Sequence, residues 1–413
     1  MDQTYVALRN RGRIVPGSLA DYVSAGGFLA LKKAREMEPA ALIDEVERSG
    51  RLRGRGGAGF NTGFKWRSAF ETRAEKKYVV CNADEGEPGT YKDRVILEND
   101  PYTVLEGMLI CAHAIGATEG YLYCRGEYPQ IAMLLRDSIQ ALQEAGYDGG
   151  VTLMVAEGAG AYVCGEETAL LESMEGRRGE PRLKPPYPAA AGLFGMPTVV
   201  NNVETFAVIP PIIERGAAWF CSLGSETYPG TKLFVLSGDV NNRTYGEFTT
   251  DVTLRDIIET LGGGVKGGTL KAVQVGGSSC PFIPADKLDT PVDFESMSAM
   301  GAALGSGSVL VLNDTRNLVD VLVPIARFFA HESCGKCVPC REGTFRVHEL
   351  IEGIARGNGT LRDLILIEEL GRFMSDSCFC PLGQSATAAI YSALTEFRED
   401  FLEKIGGGEH AGD

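Results

Sequence analysis

Lys77-Tyr-Val-Val-Cys-Asn82 runs directly into Ala83-Asp-Glu-Gly-Glu-Pro-Gly-Thr90, so an apolar run is followed at once by acidic residues and glycines. This pattern is typical of a buried parallel strand and the loop at its carboxyl end. Runs of both kinds alternate further along the chain, with strands expected at 120–124 and 151–155 and helices at 103–115 and 131–145. Strands that alternate with helices predict a parallel, doubly wound sheet.

Acidic side chains gather where two of these strands end. Asp84, Glu85 and Glu87 follow the first strand, and Glu166 and Glu167 follow the strand at 151–155. Any one of them is explained equally well as a solvated loop charge or a helix cap. Because the carboxyl ends of parallel strands meet at one edge of a sheet, the five together favour a ligand site there.

A glycine loop, Gly54-Arg-Gly-Gly-Ala-Gly59, matches G-x-G-x-x-G. Glycines allow the backbone to approach a phosphate, and the next helix supplies unpaired N–H groups. Arg55 and Lys65 add positive charge, and Phe60 could stack on a flat base. The motif alone is weak, and a flexible turn is the alternative. The loop also follows a helix-like segment, which is unusual for a dinucleotide motif. A further polar stretch at 198–205 offers amides suited to a heteroaromatic ring.

The cysteines of Glu332-Ser-Cys-Gly-Lys-Cys-Val-Pro-Cys-Arg-Glu-Gly343 are spaced two residues apart, and another follows in Cys-Pro-Leu-Gly383. Three thiolates on one turn and one distant thiolate suit a 4Fe–4S cluster. Zinc more often takes two separated Cys-x-x-Cys pairs. The expected ligands are Cys334, Cys337, Cys340 and Cys380. We expect a helix at 345–355, with the triplet at its N-terminus.

The pattern changes near residue 229 and again after residue 316. Between them, strands at 232–237, 249–253, 270–275 and 308–312 and a helix at 254–261 predict a small α+β module with glycine-rich connectors. Beyond them the periodicity is helical. We therefore expect an α/β domain at 1–228, an α+β module at 229–315 and a helical bundle at 316–413.

Composition limits the function classes. The 413 residues include 40 basic and 55 acidic side chains, for a net charge of −15, which argues against a nucleic-acid partner. No apolar run reaches the roughly 18 residues of a membrane span, and the N-terminus is too polar for a secretory signal. Eleven cysteines, odd in number and partly clustered, fit metal ligation in a reducing compartment. We expect a cytoplasmic protein without a direct membrane span.

Together these stretches resemble the NADH- and FMN-binding flavoprotein subunit of NADH dehydrogenases, which respiratory complex I shares with NAD-linked hydrogenases and formate dehydrogenases. The resemblance extends from about Gly26 to Phe401. It is carried by blocks in one order, at 52–60, 82–90, 125–129, 158–168, 181–187 and 201–205, and by the cysteine loop.

The resemblance implies a set of site residues. Those implied for FMN are Gly54, Arg55, Gly56, Lys65, Asn82, Asp84, Tyr162, Gly165, Glu166, Asn201, Asn202 and Thr205, with Gly57, Gly59, Glu85 and Val200 in the same cofactor-binding set. NADH would lie over the flavin against Phe60, Glu87, Glu167 and Tyr187. Glu87 and Lys65 would take part in catalysis, and Cys334, Cys337, Cys340 and Cys380 would ligate the 4Fe–4S cluster. Where relatives often carry a second phenylalanine for adenine, this chain has Ser68, with Phe70 nearby.

The implied fold is a Rossmann-like FMN and NADH domain, a ubiquitin-like (SLBB-type) module and a helical bundle that binds the cluster. The implied function is hydride transfer between NADH and FMN, followed by single-electron transfer through the cluster to partner subunits. Those partners would be a small 2Fe–2S thioredoxin-like subunit and a larger iron–sulfur or catalytic subunit, which could hold the protein at the cytoplasmic face of a membrane.

Two alternatives stay open at this point. The same module could work toward NAD+ reduction in an NAD-linked or electron-bifurcating hydrogenase or a formate dehydrogenase. The residues alone also allow a non-redox scaffold, in which zinc staples the cysteines and the glycine loop only shapes a turn.

Overall fold

A computed structural model describes residues 3–50 and 52–406; the tail after Gly406, for which the sequence predicts disorder, lies outside this range. The N-terminal part consists of helices that precede, connect and follow the strands of one sheet. Its elements are α1 Leu19–Ser24, α2 Leu29–Arg35, α3 Pro39–Arg48, α4 Thr62–Glu71, β1 Tyr78–Ala83, α5 Lys92–Asn99, α6 Pro101–Ile115, β2 Glu119–Cys124, α7 Pro129–Glu144, β3 Thr152–Glu157, α8 Glu167–Met174, α9 Pro188–Ala191, β4 Thr198–Asn202, α10 Val203–Arg215 and α11 Ala217–Cys221.

The first sheet has the strand order β3-β2-β1-β4, and its three strand pairs are all parallel. The chain adds β2 and β3 on one side of β1 and then crosses to the other side to add β4. This reversal creates a crevice at the carboxyl ends of β1 and β4, which is where open α/β sheets bind ligands. The prediction of a parallel sheet is confirmed, with β1, β2 and β3 close to the expected positions.

The two faces of this sheet are buried against different partners. Along β1, Val79 and Cys81 belong to the core formed with the N-terminal helices, including α6 and α10. Tyr78 and Val80 point to the opposite face, where they share a core with residues of the C-terminal helices such as Leu322. The period of two along a strand therefore seats the C-terminal bundle on the sheet that carries the polar edge.

The second sheet has the order β6-β5-β9-β7-β8, in which only β5 and β9 pair in parallel. Its module consists of β5 Thr231–Gly238, β6 Tyr245–Thr249, α12 Leu254–Thr260, β7 Leu270–Val275, β8 Phe282–Pro284, α13 Phe294–Ala299 and β9 Ser308–Asn313. The strand expected at 249–253 lies at Tyr245–Thr249 instead, because Thr253 and Asp256 cap α12 reciprocally and end the extended segment. The short β8 and α13 were not predicted.

The C-terminal part is helical, as expected, and contains α14 Leu318–Glu332, α15 Val338–Ala355, α16 Leu361–Ser377, α17 Pro381–Ser385, α18 Ala388–Glu396 and α19 Arg398–Gly406. The helix expected at 345–355 begins at Val338, because Pro339 is favourable in a first helical turn. Cys337 is therefore the N-cap of α15, and Cys340 lies inside its first turn.

Candidate active site

The glycine loop folds back against the start of α10. The loop closes by a 2.8 Å bond from the Gly54 N–H to the Phe60 carbonyl, and the Arg55 N–H donates to Thr205 Oγ1 at 2.8 Å. A Cβ on Gly56 would lie 3.1 Å from Asn202 Cβ, and one on Gly59, whose φ is +63°, would run into the Phe294 ring. Glycine is therefore required where the loop approaches the sheet edge and the second module.

The Arg55 side chain differs from the sequence expectation of a charge beside the loop. Its guanidinium is buried, donates to the Arg53 carbonyl at 3.0 Å and the Pro229 carbonyl at 3.0 Å, and stacks over the Tyr228 ring. The charge is consumed by internal contacts, so Arg55 can contribute its backbone to a phosphate but its side chain serves the fold.

The amides at the strand ends are held by specific contacts. Asn82 Nδ2 donates to the Gly165 carbonyl at 2.9 Å, and the Trp66 indole donates to Asn201 Oδ1 at 2.9 Å. Asn202 caps α10 by accepting from the Glu204 N–H at 3.0 Å. These contacts bring the ends of β1 and β4, the β3 loop and α4 together at the crevice.

Asp84 carries the clearest sign of a missing ligand. Its Oδ2 atom is buried and has no hydrogen-bond partner in the described part of the chain. Burial raises the pKa of this carboxyl to about 7, although Arg125 opposes the shift. A Cβ on Gly165 would lie 3.8 Å from that oxygen, so glycine keeps the space beside it open. Because buried polar groups are normally paired, a hydrogen-bond donor from a ligand fits this position.

Lys65 belongs to a ladder of alternating charges that reaches the crevice. Its Nζ lies 2.8 Å from Glu167 Oε2 and 3.3 Å from the Val200 carbonyl. Lys184 donates to Glu167 at 3.1 Å and to Glu166 at 2.7 Å. Burial raises the pKa of Glu167, but the two lysines outweigh it and the net shift is downward. Glu167 is therefore ionised at neutral pH. Lys184 was not predicted, although the 181–187 block contained it.

Glu85 has a different task from the predicted contact with a cofactor. Its carboxylate oxygens accept from the Asp93 N–H at 2.8 Å and the Arg94 N–H at 3.1 Å, which caps the start of α5. Burial raises its pKa to about 7. The carboxylate thus fixes the loop that presents Asp84 rather than lining the crevice, which is the helix-cap alternative that the sequence left open.

Exposed aromatic rings lie beside the ladder. Phe60 is 49% exposed, Phe64 is 56% exposed, and their ring centroids are 6.0 Å apart in an edge-to-face arrangement. Tyr187 is 58% exposed. Phe70, considered as a neighbour of Ser68, instead packs against the N-terminal core, with Lys77 over its ring. Phe64 is the aromatic residue that the sequence reasoning missed on α4.

Tyr162 connects the crevice to the C-terminal bundle. Its hydroxyl donates to Glu87 Oε2 at 2.5 Å, and its backbone N–H donates to Glu332 Oε2 at 2.9 Å. Its ring packs edge-to-face against Phe328 of α14, with centroids 5.0 Å apart. Since Glu332 stands two residues before Cys334, this one tyrosine fixes the carboxylate side of the crevice relative to the cysteine loop.

The four predicted ligand cysteines come together at the start of α15. The Cys340 thiol lies near those of Cys334, Cys337 and Cys380, and burial together with these neighbours raises its pKa to about 11. Cys378 is a fifth thiol in the same group. Backbone N–H groups of Leu382 and Gly383 approach the Cys380 sulfur. All eleven cysteines are free, so these thiols are available as ligands.

The donor set suits a cluster of several irons. Within residues 3–50 and 52–406, no three His, Cys, Asp or Glu side chains are placed to hold a single metal ion. The cysteine loop is also tied to the crevice, because Arg178 donates to the Cys334 carbonyl at 2.7 Å and Lys336 donates to the Pro181 carbonyl at 2.6 Å. Pro181 lies in the segment that leads to Lys184.

None of the described helices is long and apolar enough to cross a membrane. A nucleotide crevice on a parallel sheet and a thiol group on a helical bundle, fixed to each other through Tyr162, define a class of flavin- and iron–sulfur-dependent electron-transfer proteins.

Comparison with known proteins agrees with this class. Family models match the Nuo51 FMN-binding domain at residues 46–211, an SLBB domain at 232–311 and the NADH-ubiquinone oxidoreductase-F iron-sulfur binding region at 320–404. The second F-type subunit of the NADH-quinone oxidoreductase of Rhizobium meliloti (strain 1021) is 45% identical over 94% of each chain. The NADP-reducing hydrogenase subunit HndC of Solidesulfovibrio fructosivorans is 44% identical over 97% of this chain and 83% of its own.

A crystal structure of an NAD+-reducing NiFe hydrogenase in the hydrogen-reduced state superimposes with a TM-score of 0.87 at 39% identity, over 98% of this chain and 67% of that one. The chain belongs to the family of F-type subunits of NADH-quinone oxidoreductases. The resemblance, the mixed fold with its SLBB module, and the cofactors FMN and 4Fe–4S are confirmed, with NAD(H) as the nucleotide that the family implies. The chain is a flavoprotein subunit of an NADH:acceptor oxidoreductase, and the zinc scaffold finds no support.

Proposed function

We propose that the crevice between β1 and β4 holds FMN and that its exposed aromatic side receives NADH. The observation that carries this proposal is the buried Asp84 oxygen without a partner, next to Gly165 at the reversal point of the sheet. The residues proposed for FMN are Gly54, Arg55, Gly56, Gly57, Gly59, Lys65, Asn82, Asp84, Tyr162, Gly165, Glu166, Val200, Asn201, Asn202 and Thr205, with Glu85 behind them. Those proposed for NADH are Phe60, Glu87, Glu167 and Tyr187, and those for the cluster are Cys334, Cys337, Cys340 and Cys380.

When bound, FMN accepts a hydride from NADH and releases electrons singly to the 4Fe–4S cluster. The chain's own residues prepare the site for that chemistry. Lys65 supplies a fixed positive charge where negative charge develops, and Glu167 and Val200 hold its ammonium group. Tyr162 orients Glu87, and its packing against Phe328 keeps water from the side that faces the cluster.

We propose three domains, at 1–228, 229–315 and 316–413, and a cytoplasmic location. The eleven free cysteines and the iron–sulfur ligand set support a reducing compartment. Relatives are named as subunits of quinone oxidoreductases and hydrogenases, which supports partner subunits that carry electrons onward. We infer a small 2Fe–2S thioredoxin-like partner and a larger iron–sulfur or catalytic partner.

The net direction of electron flow has two candidates. The relatives named NADH-quinone oxidoreductase favour NADH oxidation, and the match to an NAD+-reducing hydrogenase favours the reverse. Purification without air tests the shared core of the proposal: flavin and iron–sulfur absorption should be present, and NADH should bleach the flavin band. Protein that is colourless and carries stoichiometric zinc would overturn it. The subunits that co-purify then distinguish the two directions.

Replacing Asp84 by Asn should remove a pH dependence from FMN binding. Since the pKa of Asp84 is raised to about 7 before a ligand pairs it, the carboxylate that accepts a ligand hydrogen bond forms as the pH rises through that value. We expect the wild-type Kd for FMN to fall roughly 5- to 10-fold more than that of D84N between pH 6 and pH 8. Fluorescence titration of the FMN-stripped protein measures both. Parallel curves for the two proteins would remove Asp84 from the FMN site.

Replacing Glu167 by Gln should relax the preference for NADH over NADPH. An ionised Glu167 repels a 2′-phosphate, so the kcat/KM ratio of NADPH to NADH should rise about 5- to 100-fold, or ~1–3 kcal/mol. Steady-state rates with both nucleotides measure the ratio. Glu166→Gln is the matched control, because Glu166 shares Lys184 but caps α8 with its other oxygen. An unchanged ratio in E167Q would contradict the assignment. The relative named for NADP reduction makes this preference worth measuring.

A further inference from the structure

We infer that the loop from Gly276 to Cys280 of the second module forms part of the nicotinamide end of the site, with Ser279 as a positioning residue for Glu87. The inference rests on the proposed NADH role of Glu87. The Ser279 N–H donates to Glu87 Oε1 at 3.0 Å, and its hydroxyl donates to Oε2 at 3.1 Å. Tyr162 supplies the third donor, at 2.5 Å. Two of the three bonds that hold this carboxylate therefore come from a module to which no site residue had been assigned.

The loop is shaped to fit Glu87. Gly277 has a φ of +108°, and a Cβ there would run into the side-chain carbons of Glu87, so both the backbone conformation and the space require glycine. The loop is also anchored on its other side. Ser306 Oγ donates to the Gly276 carbonyl at 3.0 Å and lies 2.6 Å from Thr90 Oγ1, at the end of the loop that carries Glu87. Glu87 and the glycine loop of the module are thus locked together at two points.

The contacts decide the charge of Glu87. Its burial raises the pKa, and the hydrogen bonds from Tyr162 and Ser279 oppose that rise. The other ionisable groups near it are the Tyr162 phenol and the Cys280 thiol. Burial raises the pKa of Tyr162 well above its usual value and that of Cys280 to about 12, so both stay neutral over the working range. Loss of the Ser279 hydroxyl should therefore shift the titration of Glu87 upward, because a donor to the charged form disappears.

The test uses the full chain loaded with FMN, with Ser279→Ala as the variant, Ser279→Thr to restore the hydroxyl and Ser278→Ala as the matched neighbour. We expect S279A to raise the KM for NADH roughly 3- to 10-fold while kcat changes less than about 2-fold. The acid limb of its kcat/KM profile should move to higher pH. S279T and S278A should resemble wild type. Flavin absorption confirms that each variant retains FMN and is folded.

Glu87→Gln separates this inference from the function on which it rests. If E87Q raises the KM for NADH and S279A behaves like S278A, Glu87 contributes to the site but Ser279 does not position it, and the inference is overturned. If E87Q leaves the KM unchanged, the proposed role of Glu87 fails first. A pH profile of S279A that matches wild type, with a KM raised equally in S278A, would show a merely structural loop and would also overturn the inference.

Discussion

Replacing Cys337 by Ser should abolish the iron–sulfur cluster while leaving the flavin in place. Cys337 caps α15 and stands between Cys334 and Cys340, so its loss opens one corner of a four-thiol set. A serine hydroxyl is a far weaker ligand than a thiolate. We expect the low-temperature paramagnetic signal of the reduced protein to fall at least about 10-fold and bound iron to fall with it. NADH should still bleach the flavin band, because the crevice residues lie on other elements.

Cys378→Ser and Cys221→Ser are the controls for this experiment. Cys378 lies in the same thiol group but outside the predicted ligand set, and Cys221 lies on α11 at the surface of the N-terminal part. Both variants should keep the signal and the iron. An undiminished signal in C337S would refute the ligand set. Loss of the signal in C378S, with its retention in Cys380→Ser, would show that the fourth ligand is Cys378.

The sequence predicted the parts of the fold that follow from periodicity. The apolar runs that became β1, β2 and β3 and the helical periods of α6 and α7 were strong enough to place these elements within about two residues. Local capping was harder to see. Thr253 looked like the end of a strand and caps a helix instead, because one reciprocal pair of hydrogen bonds outweighs the β-propensity of threonine.

The site was predictable in its location but not in the task of each side chain. The topology rule for parallel sheets brought Asp84, Asn82 and Asn201 to one edge. It could not show that Glu85 would cap α5 or that the Arg55 guanidinium would turn into the core. Those outcomes depend on tertiary contacts that a one-dimensional pattern does not carry. Lys184 and Ser279 were missed for the same reason, since their partners lie far away in the sequence or on another module.

Replacing Lys65 by Met should separate FMN from the protein. Methionine keeps most of the length of the side chain but removes the ammonium group that lies 2.8 Å from Glu167 and 3.3 Å from the Val200 carbonyl. The crevice then loses its positive charge, and Glu167 keeps only Lys184 as a partner. Hydrogen bonds to a charged group are worth ~1.5–3 kcal/mol, so we expect the Kd for FMN to rise about 10- to 150-fold. Equilibrium dialysis of the full chain measures the loss.

Lys184→Met makes this test specific to the FMN-facing end of the ladder. It removes the other ammonium group from the same carboxylate, 3.1 Å from Glu167, so any effect that comes only from an unpaired Glu167 should appear equally in both variants. If Lys65 contacts the flavin directly, K65M should lose FMN at least about 10-fold more strongly than K184M. Equal losses would assign Lys65 to the ladder alone. The positive charge near the flavin would then have to come from backbone N–H groups of the glycine loop, since the Arg55 guanidinium is committed to Arg53 and Pro229.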